Sequence, residues 1–260
     1  MLKPRLITSL LVDSNQHLVK TINFKKRHYL GDPLNSAYIF SGFEVDELMV
    51  LDIDASLEKR TISFAFVEAL ASFTSVPLTV GGGVSNLSQI RQLLSYGVEK
   101  VVLSSKISNN LDLLKNAANQ FGSSSISVII NTKHNSNGET CAYFGRPEIS
   151  NPKPLESIAR EIQNSGAGEL IINNIEREGT RTGFDIKILE KLNNDLTIPI
   201  VAMGGCGHLN HIKELLSSTP INGIACGSFF VYGNDYKEVL LNYIDKAIWL
   251  NNNFKALIKR

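Results

Sequence analysis

The stretch Pro77-Leu-Thr-Val-Gly-Gly-Gly-Val-Ser-Asn86 runs from β-favouring residues into three glycines and then into an amphipathic segment. This order predicts a buried strand, a tight turn and the start of a helix. Glycines let backbone N–H groups approach a ligand closely, and a helix N-terminus favours an anion. The stretch therefore predicts a βα unit with an anion-binding turn, although three glycines are weak evidence by themselves.

The same arrangement recurs in the second half of the chain. Ile198-Pro-Ile-Val-Ala-Met-Gly-Gly-Cys-Gly207 is again a short strand that ends in glycines, and Gly81 and Gly204 lie 123 positions apart. Further strand ends match at offsets of 123 and 122, namely Val101-Val-Leu-Ser-Ser105 with Ile224-Ala-Cys-Gly-Ser228 and Leu51-Asp-Ile-Asp54 with Asn173-Asn-Ile-Glu176. The repeat predicts two similar half-chains, roughly 1–123 and 124–260, each of about four strand–helix units.

The alternation of strands and helices predicts a single (β/α)8 barrel that spans residues 1–260. A doubly wound open sheet is the alternative, and the half-repeat favours the closed barrel. A long loop is expected between Asp13 and Pro33, a small hairpin around Asn135-Ser-Asn-Gly138, and a closing helix over Asp235 to Leu250.

Composition excludes several classes of function. The 260 residues are 43% apolar and 20% charged with a net charge of +1, which gives no sign of a nucleic-acid or membrane partner. Three cysteines, Cys141, Cys206 and Cys226, have no metal-binding spacing and indicate reduced thiols in a cytoplasmic protein. No apolar run approaches the roughly 20 residues of a membrane span. We expect no metal and no cofactor.

Two anion sites follow from the repeat, because ligands bind at the carboxyl ends of barrel strands. Each combines a glycine turn with small residues, mostly hydroxyl-bearing, at the next strand end. The first comprises Gly82, Gly83, Ser104 and Ser105, and the second comprises Gly204, Gly205, Gly227 and Ser228. Such a pair predicts a small molecule with a phosphate at each end. The alternative is that the glycines merely permit tight turns.

Other polar residues are individual candidates. Asp52 ends a strand and could act as an acid, a base or a ligand, or else as a helix cap or salt-bridge partner. Lys20, Glu178 and Thr180 are loop candidates. His208 and His211 have a spacing that can hold a metal, but an exposed pair without a third ligand is the better interpretation.

Charged residues also open four of the predicted strands: Arg5, Glu47, Lys100 and Glu169. At the amino ends of the strands they could form a ring of alternating charge. From spacing alone, a stabilising salt-bridge plug is the simpler interpretation.

Several motifs together resemble the cyclase subunit of imidazole glycerol phosphate synthase. They are Arg5-Leu-Ile-Thr-Ser-Leu, Asp46-Glu-Leu-Met-Val-Leu-Asp-Ile-Asp-Ala-Ser56, Thr79-Val-Gly-Gly-Gly83, Gly166-Ala-Gly-Glu-Leu170 and Glu178-Gly-Thr180. The resemblance covers essentially the whole chain. It implies a (β/α) barrel with two phosphate sites and a HisH-like glutaminase docked on the bottom face. It also implies that ammonia crosses the barrel and that Arg5, Glu47, Lys100 and Glu169 match the family's ammonia gate.

The chain departs from this family at its catalytic positions. The family uses aspartates at the ends of the first and fifth strands, and the matching positions here are Leu11 and Asn131. Leucine cannot carry a proton, and asparagine forms hydrogen bonds but does not titrate. Asp13 lies two residues after Leu11 but further out in the loop. A retained gate without these acid–base groups predicts that ammonia delivery persists while cyclase (lyase) activity is lost.

This pattern resembles a branch of the family that acts with an ATP-dependent amidotransferase in the conversion of sugar N-acetyl groups to acetamidino groups. We therefore predict an ammonia-channelling subunit for surface polysaccharide (lipopolysaccharide) biosynthesis. The alternatives are an ordinary cyclase of histidine biosynthesis that uses Asp13 or Asp52, and a silent scaffold that activates the glutaminase. The related isomerase of the same pathway is disfavoured because it also needs both aspartates.

Overall fold

The computed structural model describes residues 3–147, 150–233, 238–244 and 249. Eight parallel strands form a ring, because each pairs with the next and the last pairs with the first through Arg5 and Gly223. They are β1 Arg5–Val12, β2 Glu47–Asp52, β3 Leu78–Gly81, β4 Lys100–Leu103, β5 Ile126–His134, β6 Glu169–Asn174, β7 Ile200–Met203 and β8 Gly223–Cys226. The predicted closed barrel is confirmed, and the open sheet is excluded.

A helix follows each strand of the ring. The helices are α1 Pro33–Gly42, α2 Phe64–Phe73, α3 Leu87–Ser95, α4 Asp112–Phe121, α5 Leu155–Asn164, α6 Ile186–Asp195, α7 Leu209–Ser218 and the short α8 Ser228–Val231. Side chains cap several amino ends: Asp32, Ser63, Asn86 and Asp185 each accept a hydrogen bond from a backbone N–H in the first turn. These caps define where α1, α2, α3 and α6 begin.

Two hairpins stand at the carboxyl ends of the strands, which we call the mouth of the barrel. Thr140–Tyr143 pairs with β5, as the turn signal predicts. Leu18–Ile22 pairs with Lys26–Gly31, where the sequence predicts a loop. The turn between these strands places Asn23 and Phe24 at positive φ, at 51° and 62°. This turn contains no glycine and so gives no hairpin signal in the sequence.

The strands separate two apolar layers. The larger layer lies between the ring and the helices, and Leu6, Leu10 and Val12 of β1 belong to it. The smaller layer fills the inside of the ring, and Ile7 and Leu11 of the same strand belong to that one. This alternation follows from the two-residue period of a strand, and it fixes which side chains face the barrel axis.

The predicted closing helix over 235–250 does not extend through its middle. Residues 238–244 are not helical, and Val239 instead forms a β-bridge with Tyr232. Trp249 is helical, and the rest of that stretch lies outside the described residues. None of the helices in the described part of the chain has the length and apolar character that crossing a lipid bilayer requires.

Candidate functional site

Four charged side chains form a closed ring at the amino ends of the strands. Arg5 forms ion pairs with Glu47 and Glu169. Lys100 contacts the same two carboxylates, with Nζ 2.9 Å from Glu47 and 3.8 Å from Glu169. We call these residues the charged quartet. The structure thus brings together the four strand-start residues in the alternating order that the sequence suggests.

Further contacts hold the charged quartet in place. The Thr79 hydroxyl donates to Glu47 over 2.7 Å, and the Ser127 hydroxyl donates to Glu169 over 3.1 Å. Burial lowers the pKa of Arg5, but the two carboxylates outweigh it and hold that pKa above its ordinary value. Both carboxylates are buried and fully engaged, and the two positive charges of the charged quartet balance its two negative charges.

Apolar side chains occupy the barrel interior beyond the charged quartet. The buried members are Ile7, Leu11, Met49, Val102, Ile129, Ile171, Val201, Met203 and Ala225. An ammonium ion would lose its hydration here without gaining a counter-ion, whereas neutral ammonia bears a far smaller cost. The interior therefore favours small neutral molecules over cations.

Leu11 and Asn131 lie together at the mouth and line one cavity. Leu11 is buried within the inner apolar layer. Asn131 donates from Nδ2 to the Gly145 carbonyl over 2.7 Å and accepts from Asn173 Nδ2 over 3.0 Å. Neither side chain can exchange a proton, and the amide of Asn131 is committed to structural hydrogen bonds.

Asp52 lines the same cavity, but its carboxylate is occupied. Oδ1 accepts from the backbone N–H groups of Asp54 and Ala55, and Arg60 binds both oxygens at 2.5 and 3.2 Å. The hydrogen bond to Asp52 raises the pKa of Arg60. These contacts favour a structural role for Asp52, as a cap and a salt-bridge partner, over a role as an acid or a base.

Asp54 is a further polar centre at the mouth, and it is not among the candidate residues predicted from the sequence. It binds Arg27 through two hydrogen bonds and accepts from the Ser14 N–H over 3.1 Å, while Arg146 lies 3.6 Å away. Burial raises the pKa of Asp54, but hydrogen bonding and charge from Arg27 outweigh it and leave the pKa below its ordinary value. Its position after Asp52 is the signal that could have identified it.

The first glycine turn packs tightly on the loop after β2. Gly83 has a φ of 62°, and a Cβ there would collide with the Arg60 carbonyl. The neighbouring hydroxyls are not free. Ser104 donates to the Ile129 carbonyl and accepts from the Gly145 N–H, both over 3.0 Å, and Ser105 lies 2.8 Å from the Ser56 hydroxyl. Ser104 and Ser105 thus have partners within the chain, and the anion site of Gly82, Gly83, Ser104 and Ser105 stays a prediction.

The second glycine turn is also tightly packed, because a Cβ at Gly205 would collide with the Gly183 carbonyl. Gly204, Gly205, Gly227 and Ser228 line a small pocket, together with Lys20 and Glu178. Lys20 and Glu178 form an ion pair in which both side chains are about 95% buried, with exposed fractions of 5% and 4%. The Ser228 hydroxyl is buried and has no hydrogen-bond partner among the residues that the structure describes. This pocket lies across the ring from the first turn, since β7 and β8 stand opposite β3 and β4.

The remaining candidates have structural partners. The Thr180 hydroxyl donates to the Arg177 carbonyl over 2.8 Å. His208 caps α7, and His211 accepts from the Gly207 N–H over 3.2 Å. Cys226 is buried, and burial raises its thiol pKa well above the ordinary value, which does not suit a nucleophile. Within the described ranges, no group of three metal-ligating side chains is assembled.

The fold and the position of the site at the carboxyl ends of its strands define a (β/α)8-barrel protein. The chain belongs to the family described as histidine biosynthesis protein, whose sequence profile matches residues 5–237.

Named relatives are HisF proteins. A protein of Leptospira borgpetersenii, named "putative imidazole glycerol phosphate synthase subunit HisF", is 42% identical over 246 residues, which cover 94% of this chain and 96% of that protein. A Vibrio vulnificus protein with the corresponding name hisF3 is 36% identical over 245 residues, 94% of either chain. The imidazole glycerol phosphate synthase subunit HisF of Lactococcus lactis is 34% identical over 246 residues, 93% of this chain and 95% of its own.

Proposed function

We propose that this chain is the ammonia-channelling subunit of a glutamine-dependent amidotransferase complex and does not close an imidazole ring. The observation that carries this proposal is the contrast between the two ends of the barrel. The charged quartet at the base is complete. At the mouth, however, Leu11 and Asn131 occupy the positions where the cyclase subunits that this chain resembles have aspartates. Ammonia delivery needs the base and the interior, and ring closure needs proton transfer at the mouth.

The proposed partner at the base is a HisH-like glutaminase. The relatives are named as synthase subunits, and the charged quartet lies at the base of the barrel. At the mouth we propose an ATP-dependent sugar amidotransferase that uses the ammonia for acetamidino-sugar formation. The glycine turns then bind a phosphate-bearing small molecule such as a nucleotide sugar. We place the complex in the cytoplasm, as the cysteines predict.

The second candidate is the cyclase subunit of histidine biosynthesis, which the names of the relatives favour. Asp13 and Asp52 are the acidic groups that could replace the missing aspartates. Asp13 accepts hydrogen bonds from the N–H groups of Asn15 and His17, both over 2.9 Å, and Asp52 is bound to Arg60. Both carboxylates stabilise loops, so this candidate requires a rearrangement at the mouth.

The first experiment is ammonia-driven turnover of the histidine-pathway ribonucleotide by the isolated chain at mildly basic pH. A competent cyclase needs no partner in this assay, and an established histidine-pathway cyclase serves as the positive control. We expect no turnover by a chain shown to be folded by circular dichroism. Turnover comparable to that of the control would establish the second candidate.

The second experiment tests passage through the barrel with the complex reconstituted from the glutaminase and the amidotransferase. Val201 faces the barrel interior, so Val201→Phe should obstruct it. We expect glutamine hydrolysis to continue while glutamine-driven product formation falls at least about tenfold. Product formation from added ammonium, which reaches the mouth directly, should be unchanged. Unimpaired glutamine-driven synthesis would instead support the silent scaffold.

A further inference from the structure

In the described part of the chain, two side-chain oxygens inside the barrel are buried without a hydrogen-bond partner: Ser9 Oγ and Asn173 Oδ1. Ser9 is 1% exposed and Asn173 is 3% exposed. A buried oxygen without a partner lowers the stability of the fold, so such atoms need an explanation. Their place in the fold supplies one.

Both residues face the barrel axis. Ser9 alternates with Ile7 and Leu11 of the inner apolar layer, and Asn173 follows Ile171 in the same pattern. Each lies four residues after a member of the charged quartet on its own strand, a rise of roughly 13 Å. Asn173 lines the cavity at the mouth. The two oxygens therefore lie between the base and the mouth, along the apolar interior.

The free oxygen of Asn173 is fixed as an acceptor. Its Nδ2 donates to Asn131 Oδ1 over 3.0 Å, and Asn131 Nδ2 donates to the Gly145 carbonyl over 2.7 Å. This chain of hydrogen bonds orients both amides, so Asn173 Oδ1 can only receive a donor. The Ser9 hydroxyl both donates and accepts. A small molecule rich in donors, with one acceptor, matches both atoms.

We propose that Ser9 Oγ and Asn173 Oδ1 are hydrogen-bonding stations for ammonia in transit from the charged quartet to the mouth. This inference rests on the proposed function. Ammonia donates three hydrogen bonds and accepts one, so it can bind at either station without bringing a charge into the apolar interior. Ser9 serves the interior beside Leu11, and Asn173 serves the exit, where it lines the cavity at the mouth.

The chain provides matched control residues. Thr8 and Thr132 are also buried, and their hydroxyls also lack partners within the described ranges. By strand alternation they lie on the outer face of β1 and β5, away from the axis. Ser9→Ala and Thr8→Val each remove one unpaired buried hydroxyl, which should leave stability nearly unchanged. They differ in whether that hydroxyl faces the ammonia path.

The test uses the complex with its glutaminase and amidotransferase, supplied with amide-15N-labelled glutamine and excess unlabelled ammonium chloride. The 15N share of the product measures channelled ammonia. We expect Ser9→Ala to lower this share about three- to tenfold, the effect of losing one hydrogen bond. The rate with ammonium alone should not change, since that ammonia enters at the mouth. Asn173→Leu should lower both rates, and Thr8→Val and Thr132→Val should lower neither.

The outcomes separate this inference from the proposed function. An unaltered complex without a glutamine-derived 15N share would overturn both. A complex that channels normally, with Ser9→Ala indistinguishable from Thr8→Val, would refute the stations and leave the channel intact. Equal losses in both variants would likewise refute the stations, because the effect would then come from the strand and not from the path.

Discussion

The side chain of Asn131 spans two elements at the mouth. Its Nδ2 donates to the Gly145 carbonyl over 2.7 Å, and its Oδ1 accepts from Asn173. In Asn131→Asp the donor becomes a second acceptor beside a carbonyl oxygen. We expect a loss of about 1–3 kcal/mol in the free energy of unfolding and no gain of cyclase turnover. Urea denaturation of the two proteins measures the first, and the ammonia-driven assay measures the second.

The pH dependence of this variant provides its control. Burial and the facing carbonyl should raise the pKa of the introduced carboxyl above its unfolded value. Protonation restores a donor, so the deficit in stability should shrink as the pH falls through the raised pKa. A deficit that is independent of pH would show that the Gly145 hydrogen bond is not its cause.

The sequence predicts contacts between residues at equivalent strand positions, but it does not predict contacts that depend on how a loop folds back. The ring of Arg5, Glu47, Lys100 and Glu169 could be predicted because all four open barrel strands, whose amino ends meet at one edge. The bond from Asn131 to Gly145 depends on how a hairpin folds back over β5. No periodicity in the sequence encodes that approach.

The hairpin Leu18–Ile22 and Lys26–Gly31 is fixed over the mouth by Asp54. Arg27 belongs to this hairpin and binds Asp54. Asp54→Asn removes the ion pair but keeps an acceptor for the Ser14 N–H. Because Arg27 is 35% exposed, solvent screens the pair and we expect a loss of about 1 kcal/mol or less. Hydrogen exchange of residues 18–31 should become up to about fivefold faster, as mass spectrometry can measure.

The same contact has a defined pH dependence. The pKa of Asp54 is lowered in the folded protein, so its contribution to stability is complete above the ordinary aspartate pKa of about 3.9. That contribution is lost as the pH falls through the lowered value. Glu58→Gln is the matched control, since Glu58 is 44% exposed and pairs with Arg60 instead. Equal acceleration in both variants would exclude a specific role for Asp54.

The elements themselves differ in how well the sequence predicts them. β4 Lys100–Leu103 and β6 Glu169–Asn174 begin at the charged residues that the sequence predicts as strand starts, because a buried parallel strand is a short apolar run between turn residues. The hairpin over the mouth was predicted as a loop. Its outer strand Lys26–Gly31 is mostly polar and half exposed, so it has no hydrophobic pattern. The two-fold half-repeat stays a prediction.

Across the whole molecule, the barrel is charged at its base, apolar inside and polar at its mouth. A buried ring of charges is not an efficient way to stabilise a protein, because the cost of desolvation offsets most of the attraction. Removing one partner, however, leaves an uncompensated charge. A variant that removes one charge of the charged quartet can therefore be compared with a variant that removes all four. This comparison tests whether the charges serve function or stability.

Lys100→Met alone leaves Glu47 and Glu169 with Arg5 as their remaining cation, and we expect a loss of about 3 kcal/mol in the free energy of unfolding. The quadruple variant Arg5→Met, Glu47→Gln, Lys100→Met and Glu169→Gln leaves no charge unpaired, so it should lose much less stability than the sum of the four single losses. Urea denaturation measures both. If the quadruple variant instead lost about the sum of the single losses, the ring would be a stabilising plug. A quadruple variant that folds well but no longer channels ammonia would show that the charges are kept for passage.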